Sequence, residues 1–245
     1  MKDPVLMQQI LTIDRLNKLE SIYNQVPKGT CNACARCCSE SVNISYLEFM
    51  NIVKNGLPSL DEVTTENLKA RLLSYYLLEW VKPQQCPFLD GQKNCLIYAV
   101  RPLPCRIFGT SNRVSYKKNY QEIAAQNRQV AKAIKIETGY LPSSRVVNKE
   151  IPFCESFVPE QELRAEEIDA LYGALIHLDG QLYFEGLMDD SKINGDLVGW
   201  MIDWMLANLS EERSGHKRQL ITKQWLYTLK KECLIAYHMQ KSEGR

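Results

Sequence analysis

The chain has 245 residues, of which 45% are apolar and 24% charged, and its formal net charge is +1. This length can bury a sizeable apolar core without help from disulfides. A net charge near zero offers no electrostatic footprint for nucleic acid or for an anionic membrane surface, so we expect neither as a partner. The sequence has no apolar run long enough to cross a bilayer and no signal-peptide core near its start, which predicts a cytoplasmic location.

Apolar periodicity predicts a mostly α fold, a helical domain with cysteine-rich metal-binding loops between the helices. Capping residues and glycine or proline stops set the limits of these helices. The predicted helices cover residues 5–25, the stretch between Ser45 and Gly56, the stretch from Ser59–Glu62 to Trp80, and residues 119–137, 161–178, 195–209 and 217–239. A short strand is expected at residues 181–186. We expect a cysteine-cluster domain over residues 1–158 and a helical C-terminal region over 159–245, packed on the first as one unit.

Cysteines dominate two stretches of the chain. Four lie within residues 31–38, CNACARCC, and three within residues 86–108, CPFLDGQKNCLIYAVRPLPCRIF. In a reducing compartment such density is typical of metal binding or catalysis rather than of disulfides. We therefore predict eight metal ligands: Cys31, Cys34, Cys37, Cys38, Cys86, Cys95, Cys105 and Cys154.

Their spacing favours one kind of centre over another. Thiolates bind zinc and iron–sulfur clusters, commonly four to a centre, so eight cysteines could fill two sites or one site with spare thiols. The C-x2-C-x2-C run that begins at Cys31, with a remote Cys86-Pro87, is typical of a [4Fe–4S] cluster. Zinc, which usually takes two short cysteine pairs, is the alternative.

The adjacent pair Cys37 and Cys38 needs a separate interpretation. Neighbouring α-carbons are ~3.8 Å apart and their side chains are expected to diverge, so it is awkward for both thiols to bind one small centre. Two centres could share the loop, or one thiol could be reactive, activated by a metal and by Arg36. The alternative is that Cys38 is buried and inert.

Two arginines flank Cys105 in the second cysteine stretch. A centre with four thiolates is negatively charged, so Arg101 and Arg106 are expected to contribute to cofactor binding through hydrogen bonds to sulfur. The alternative is that both arginines form ordinary surface ion pairs.

Three ordered motifs resemble the YkgJ-type CxxCxxCC cysteine-cluster family, which is described as a zinc- or iron-chelating domain. They are CNACARCC at 31–38, CPFL at 86–89, and CLIY-x2-RP-x2-CR-x-F at 95–108. The resemblance covers residues 31–108 and extends to Cys154. It implies that these cysteines bind a metal or an iron–sulfur cluster. Some relatives are named ferredoxin-like proteins and others flagellin lysine N-methylases.

Three functions are therefore open. The leading hypothesis is an iron–sulfur protein in redox or electron transfer, which implies a protein redox partner. The second is an enzyme in which a metal centre serves the modification of a protein substrate, as the resemblance to the methylases implies. The third is a zinc module that holds loops together without catalysis. No dinucleotide or nucleoside-triphosphate motif occurs in the sequence.

Overall fold

The protein is mostly α, as the sequence predicted. A computed structural model describes residues 4–32, 34–39, 41–139, 141–193 and 195–205, so the predicted helix at 217–239 and the end of the one at 195–209 lie outside the described residues. The described part contains these α-helices: α1 (Pro4–Ile10), α2 (Ile13–Tyr23), α3 (Tyr46–Asn51), α4 (Glu62–Leu78), α5 (Leu103–Ile107), α6 (Arg113–Thr138), α7 (Ser144–Val147), α8 (Ala165–Phe184) and α9 (Leu197–Met205). Within these residues, none of the helices combines the length and the hydropathy that crossing a membrane requires.

Two short strand pairs frame the first cysteine stretch. Strand β1 (Gly29–Thr30) pairs antiparallel with β3 (Val158–Pro159), and β2 (Asn43–Ile44) pairs antiparallel with β4 (Gly195–Asp196). The loop that carries CNACARCC therefore leaves from one strand pair and returns to the other. Because β1 pairs with β3, this loop also lies beside the segment that contains Cys154.

The first predicted helix is interrupted. The structure has two helices, α1 and α2, with a break at Leu11 and Thr12. The Thr12 hydroxyl accepts a hydrogen bond from the Arg15 backbone N–H at 3.3 Å and so caps α2. A threonine side chain that satisfies a free N–H in this way favours a new helix start over continuation of the first helix.

Local signals set several other boundaries correctly. Ser45 and Glu48 form the predicted capping box at the start of α3, which continues as a π-helical turn over Ile52–Gly56 and a 3-10 turn over Leu57–Ser59. Helix α6 begins six residues earlier than the predicted 119, because Asn112 caps it by accepting from the Ser115 N–H at 2.9 Å.

The predicted strand at 181–186 is wrong. Residues 181–184 are the last turn of α8, because Leu178 and Leu182 continue the buried stripe of that helix into the core. Gly186, with φ of 72°, follows the end of the helix. Gly180, which follows the predicted end of this helix at residue 178, lies inside α8 without interrupting it.

The apolar core joins the N-terminal helices to α8 and α9. Helix α9 packs against α4, and α8 packs against α2 and α3. Tyr46 and Phe49 of α3 meet Trp200 of α9 with ring centroids 5.7 and 5.4 Å apart. Cys86 and Cys95 lie at the edge of this core, half-buried. The core is thus built of apolar side chains. The domain limit predicted at residue 158 stays a prediction.

Candidate metal centre

The first cysteine loop ends in a tight turn. Ala35 has a φ of 56°, a left-handed conformation that costs free energy for a residue with a Cβ. The Cys38 N–H donates to the Ala35 carbonyl at 3.2 Å and closes the turn. Beyond it, Cys37 and Cys38 are half-buried, whereas Cys31 and Cys34 are exposed. The turn therefore directs the second half of the motif inward.

The second cysteine loop folds back on itself between Cys86 and Cys95. The Leu96 N–H donates to the Phe88 carbonyl at 2.8 Å, and Leu89 and Cys95 form an isolated antiparallel bridge. At the tip, one carboxylate oxygen of Asp90 accepts from the N–H groups of residues 92 and 94, at 2.8 and 2.7 Å. The turn at Asp90-Gly91 thus brings the two cysteines to neighbouring positions.

Hydrogen bonds join the two cysteine loops to each other. The Cys86 N–H donates to the Cys38 carbonyl at 2.8 Å. The Lys149 ammonium donates to the carbonyl of Ser39 in the first loop and, at 2.9 Å, to that of Gln84 next to the second. These contacts link CNACARCC to CPFL through the backbone, so the approach of their cysteines does not depend on side chains alone.

A third element, α5, brings Cys105 to the same place. The Leu103 N–H in the first turn of α5 donates to Glu48 Oε1 at 2.6 Å, and the Tyr23 hydroxyl donates to the same oxygen at 2.9 Å. Glu48 is only 1% exposed. Burial raises the pKa of the Glu48 carboxyl. The N–H donors favour its charged form and lower the pKa, but burial is the larger effect. Sequence reasoning missed this role. The available signal was a glutamate among the apolar residues of a short helix.

Five thiols are brought within electrostatic reach of one another in this way: those of Cys37, Cys38, Cys86, Cys95 and Cys105. Burial raises the pKa of Cys86 to about 11, and negative charge at Cys95 and Cys37 would raise it further. Burial also raises the pKa of Cys105, with contributions from negative charge at Cys86, Cys95 and Cys37. Cys105 is nevertheless exposed. This exposure is that of the residue as a whole, whereas the thiol itself is surrounded by protein.

Backbone N–H groups point at two of these sulfurs. The Phe88 N–H lowers the pKa of Cys86 and the Ile97 N–H lowers that of Cys95, each from two residues further along the chain. In both cases burial acts in the opposite direction and is the larger effect. An N–H directed at sulfur stabilises a thiolate, which is the form that binds metal.

The Cys37 and Cys38 thiols lie close together, contrary to the prediction that the side chains diverge. Their Sγ atoms are 3.8 Å apart. The hydrogen bond from Cys38 is the main cause that lowers the pKa of Cys37 to about 7, and Arg101 contributes, whereas the same hydrogen bond raises the pKa of Cys38. The contact itself allows either thiol to donate. We assign Cys37 as the thiolate and Cys38 as the donor, because the charge of Arg101 also lowers the pKa of Cys37. Two ligands of a tetrahedral zinc are also about 3.8 Å apart at a Zn–S distance of ~2.3 Å, so the pair is compatible with one centre.

The two predicted arginines lie in different surroundings. Burial raises the pKa of the Cys95 and Cys105 thiols, and the positive charge of Arg101 pulls both pKa values back. The Arg106 guanidinium instead donates to the carbonyls of Arg101 and Ala99, at 2.6 and 3.0 Å, and lies 3.9 Å from the ring centroid of Tyr23. Arg101 thus acts on the thiols by charge, while Arg106 holds the loop that carries Arg101. Cofactor binding by either arginine stays a prediction.

Three of the predicted ligands lie at or beyond the edge of this group. Cys34 and Cys154 line a cavity of about 180 Å³ together with Cys37, Arg36 and the rings of Phe108 and Phe153. The Cys154 thiol is 3.6 Å from the Ser156 hydroxyl. Cys31 is exposed at the start of the loop. The eight cysteines therefore divide into an inner group of five and an outer group, with Cys37 bordering both.

The chemistry of the inner group fits zinc or iron. Among the residues that the structure describes, no three Cys, His, Asp or Glu side chains are grouped closely enough to hold a metal ion as they stand. The donor set is nevertheless composed of thiols, two of which receive backbone N–H groups, with a guanidinium nearby. Soft thiolate ligands select zinc and iron–sulfur clusters over hard cations.

Comparison with known proteins gives one match. Residues 30–130 match the family model CxxCxxCC, described as "Putative zinc- or iron-chelating domain". The matched segment contains all five thiols of the inner group as well as Cys31 and Cys34, and it ends before Cys154. No curated protein and no solved structure matches the chain significantly. The comparisons support metal binding and leave the identity of the metal open.

Proposed function

We propose that this chain, whose residues 30–130 belong to the CxxCxxCC family, uses its inner thiols to hold one iron–sulfur cluster for electron transfer. The observation that carries the proposal is the convergence of two loops and α5 on five thiols, three of which, those of Cys37, Cys95 and Cys105, lie within the electrostatic reach of Arg101. A [4Fe–4S] cluster takes four cysteine ligands and supplies one-electron redox chemistry. In this proposal the ligands are Cys37, Cys86, Cys95 and Cys105.

Cys38 has a different role in this proposal. Its thiol donates to Cys37 and has a raised pKa, so it keeps its proton at neutral pH. A retained S–H that points at a ligand sulfur would stabilise the charge of the centre, as hydrogen bonds to cluster sulfurs do. Together with Arg101 it would offset part of the negative charge of four thiolates. The outer cysteines, Cys31, Cys34 and Cys154, stay predicted metal ligands.

Exposure of Cys105 supports a partner protein as the electron donor or acceptor. The exposed residue Cys105 marks a side on which the inner group comes near to solvent. Arg101, whose charge lowers the pKa of the Cys105 thiol, lies 4.3 Å from the ring centroid of Tyr98, which is 53% exposed. Aromatic residues and arginine are enriched in protein interfaces. We infer that a redox partner would dock over this surface.

The test is anaerobic purification followed by analysis of iron, acid-labile sulfide and zinc. A brown protein that absorbs near ~400 nm and bleaches with a reductant is expected. C86S should lose iron, while C233S, which changes a cysteine outside the eight predicted ligands, should retain it. A colourless wild-type protein with stoichiometric zinc would overturn the redox proposal.

A structural zinc site is the second candidate. It is favoured by the 3.8 Å separation of the Cys37 and Cys38 sulfurs, which equals the ligand spacing about a tetrahedral zinc. Under this reading both cysteines are ligands, and C38S lowers zinc affinity as much as C37S does. In the iron–sulfur proposal C38S is the milder change. Methyl transfer to a protein substrate, implied by the resemblance alone, stays a prediction that binding of S-adenosylmethionine would test.

A further inference from the structure

Arg71 reaches from α4 to the second cysteine loop. Its Nε donates to the carbonyl of Pro87 at 2.8 Å, so the guanidinium plane lies against the residue that follows Cys86. Arg71 and Cys86 also line the same recess, a cavity of about 310 Å³. The arginine is outside the three cysteine motifs, and its place in the helical sequence gives no sign of this contact.

One nitrogen of this guanidinium is buried without an acceptor. Among the described residues, Arg71 Nη2 is inaccessible to solvent and makes no hydrogen bond. A buried donor on a charged group is costly to leave unsatisfied, more so than a neutral one. Its position therefore calls for an anionic acceptor near the second cysteine loop.

Two acidic groups lie close enough to be affected by Arg71. One is Asp90, but its carboxylate already accepts hydrogen bonds from Gln92 and Asn94 in its own turn. The other is Cys86, which lines the same recess as Arg71 and directly precedes Pro87, whose carbonyl Arg71 Nε holds. A metal-bound sulfur at this position would be an anionic acceptor beside the buried Nη2.

We propose that Arg71 is a positioning residue of the metal centre, in which Nε holds the Pro87 carbonyl and Nη2 donates toward the metal-bound sulfur of Cys86. This inference rests on the proposed function. A planar guanidinium can serve two acceptors at fixed angles, which a lysine ammonium on a flexible chain cannot do. Arg71 would thereby orient Cys86 and offset part of the negative charge of a thiolate centre.

Cobalt binding provides the test, because thiolate-to-Co²⁺ charge-transfer absorption reports ligation without any activity. The metal-free, reduced protein is titrated with Co²⁺ in competition with a chelator. R71Q is expected to raise the Kd about 10- to 100-fold, the usual effect of removing a partner of a metal ligand. The matched control is R128Q, which removes the same charge from an exposed site on α6 and should leave the Kd unchanged.

Combining R71Q with C86S shows whether Arg71 acts on the sulfur of Cys86 or only on the loop at Pro87. R71Q should add nothing to the loss already caused by C86S, because the acceptor of Nη2 is gone. If R71Q weakens Co²⁺ binding equally with Cys86 present or replaced, Arg71 acts through Pro87 alone and the proposal is overturned. If R71Q fails to fold, as judged by circular dichroism, R71K keeps the charge without the two-acceptor geometry. A wild-type Kd for R71K would equally overturn the proposal.

The experiment distinguishes failure of the proposed metal binding from failure of the role assigned to Arg71. If wild-type protein binds neither Co²⁺, zinc nor iron, the proposed function fails and the role of Arg71 fails with it. If wild-type protein binds Co²⁺ and R71Q binds it as tightly as R128Q does, only the assignment of Arg71 fails.

Discussion

Glu48 accepts a hydrogen bond at 2.6 Å from the backbone N–H of Leu103, 55 residues further along the chain. The same carboxylate completes the capping box of α3 with Ser45. One side chain thus fixes the start of α3 and the start of α5, the helix that carries Cys105. The position of this cysteine is therefore coupled to the core through a single buried carboxylate.

Replacing Glu48 should damage both the fold and the centre. E48A leaves the Leu103 N–H and the Tyr23 hydroxyl without their acceptor and opens a cavity, which should lower the free energy of unfolding by about 2–4 kcal/mol. Urea unfolding of the metal-free protein measures this loss. Metal affinity should fall as well, because α5 loses its anchor.

The control for this prediction is Glu66, an exposed residue of α4 that pairs with Lys69. An exposed ion pair contributes little, so E66A should cost less than ~1 kcal/mol. The prediction is contradicted if E48A is no more destabilising than E66A, or if its metal affinity equals that of the wild-type protein.

Asp179 predicts a pH dependence of stability. It accepts from the N–H groups of Tyr46 and Leu47 at 2.7 and 3.1 Å, and so binds α8 to the first turn of α3. Burial raises the pKa of this carboxyl to about 6. The two N–H donors lower the pKa, but their effect is smaller than that of burial. The folded state therefore binds more protons than the unfolded state between pH ~4 and 6, and the contribution of Asp179 to stability falls as pH rises through this window.

D179N, which resembles the protonated carboxyl, lacks this dependence. Relative to wild-type protein it should gain about 2 kcal/mol in unfolding free energy between pH 4 and 6, since each unit of pKa shift corresponds to ~1.4 kcal/mol. Urea midpoints of both proteins across pH 4–7 give the difference. Using a difference removes the contribution of Glu48, whose pKa burial also raises. A constant difference across the range would show that Asp179 keeps an ordinary pKa.

These two carboxylates show where sequence reasoning works and where it stops. The capping box at Ser45 and the stop at Gly139, which has a φ of 71°, were predictable because both depend on residues within one helical turn. The second acceptor role of Glu48 and the contact of Asp179 with α3 join residues far apart in sequence. Periodicity cannot reveal such contacts, because they arise only when helices pack.

The cysteine site also has features that the sequence predicted and features that it could not predict. The motifs predicted metal ligands in both cysteine stretches, and the hydrogen bond from the Cys86 N–H to the Cys38 carbonyl joins these stretches. The convergence of the Cys37 and Cys38 sulfurs was not predictable, because it follows a turn in which Ala35 adopts a φ of 56°. Alanine seldom adopts that conformation, and a sequence pattern gives no reason to expect it here.

Thiol reactivity should distinguish Cys37 from its neighbours in the metal-free, reduced protein. The pKa of Cys37 is lowered to about 7 by the hydrogen bond from Cys38, whereas burial raises that of Cys86 to about 11. Because the thiolate is the nucleophile, iodoacetamide at pH 7.5 should modify Cys37 well before Cys86. Peptide mass spectrometry after timed quenching measures the two rates.

C38A tests the cause of this reactivity. Without its donor, Cys37 should have a higher pKa and react more slowly at pH 7, with the midpoint of its pH–rate profile moved upward. C154A removes a thiol near the cavity without touching the donor, and should leave the profile in place. An unchanged profile in C38A would contradict the assignment of Cys38 as the donor.

Removal of the metal should leave the helices folded. The core between α2, α3, α4, α8 and α9 is apolar, and the stacking of Tyr46 and Phe49 against Trp200 does not involve a cysteine. Chelation should therefore preserve the far-ultraviolet circular dichroism while the cysteine loops become accessible to thiol reagents and proteases. Small zinc modules behave differently, because their binding free energy is their folding free energy. Loss of helicity on chelation would favour the structural zinc candidate, whereas retained helicity with loss of colour would favour an iron–sulfur centre placed on an independently stable scaffold.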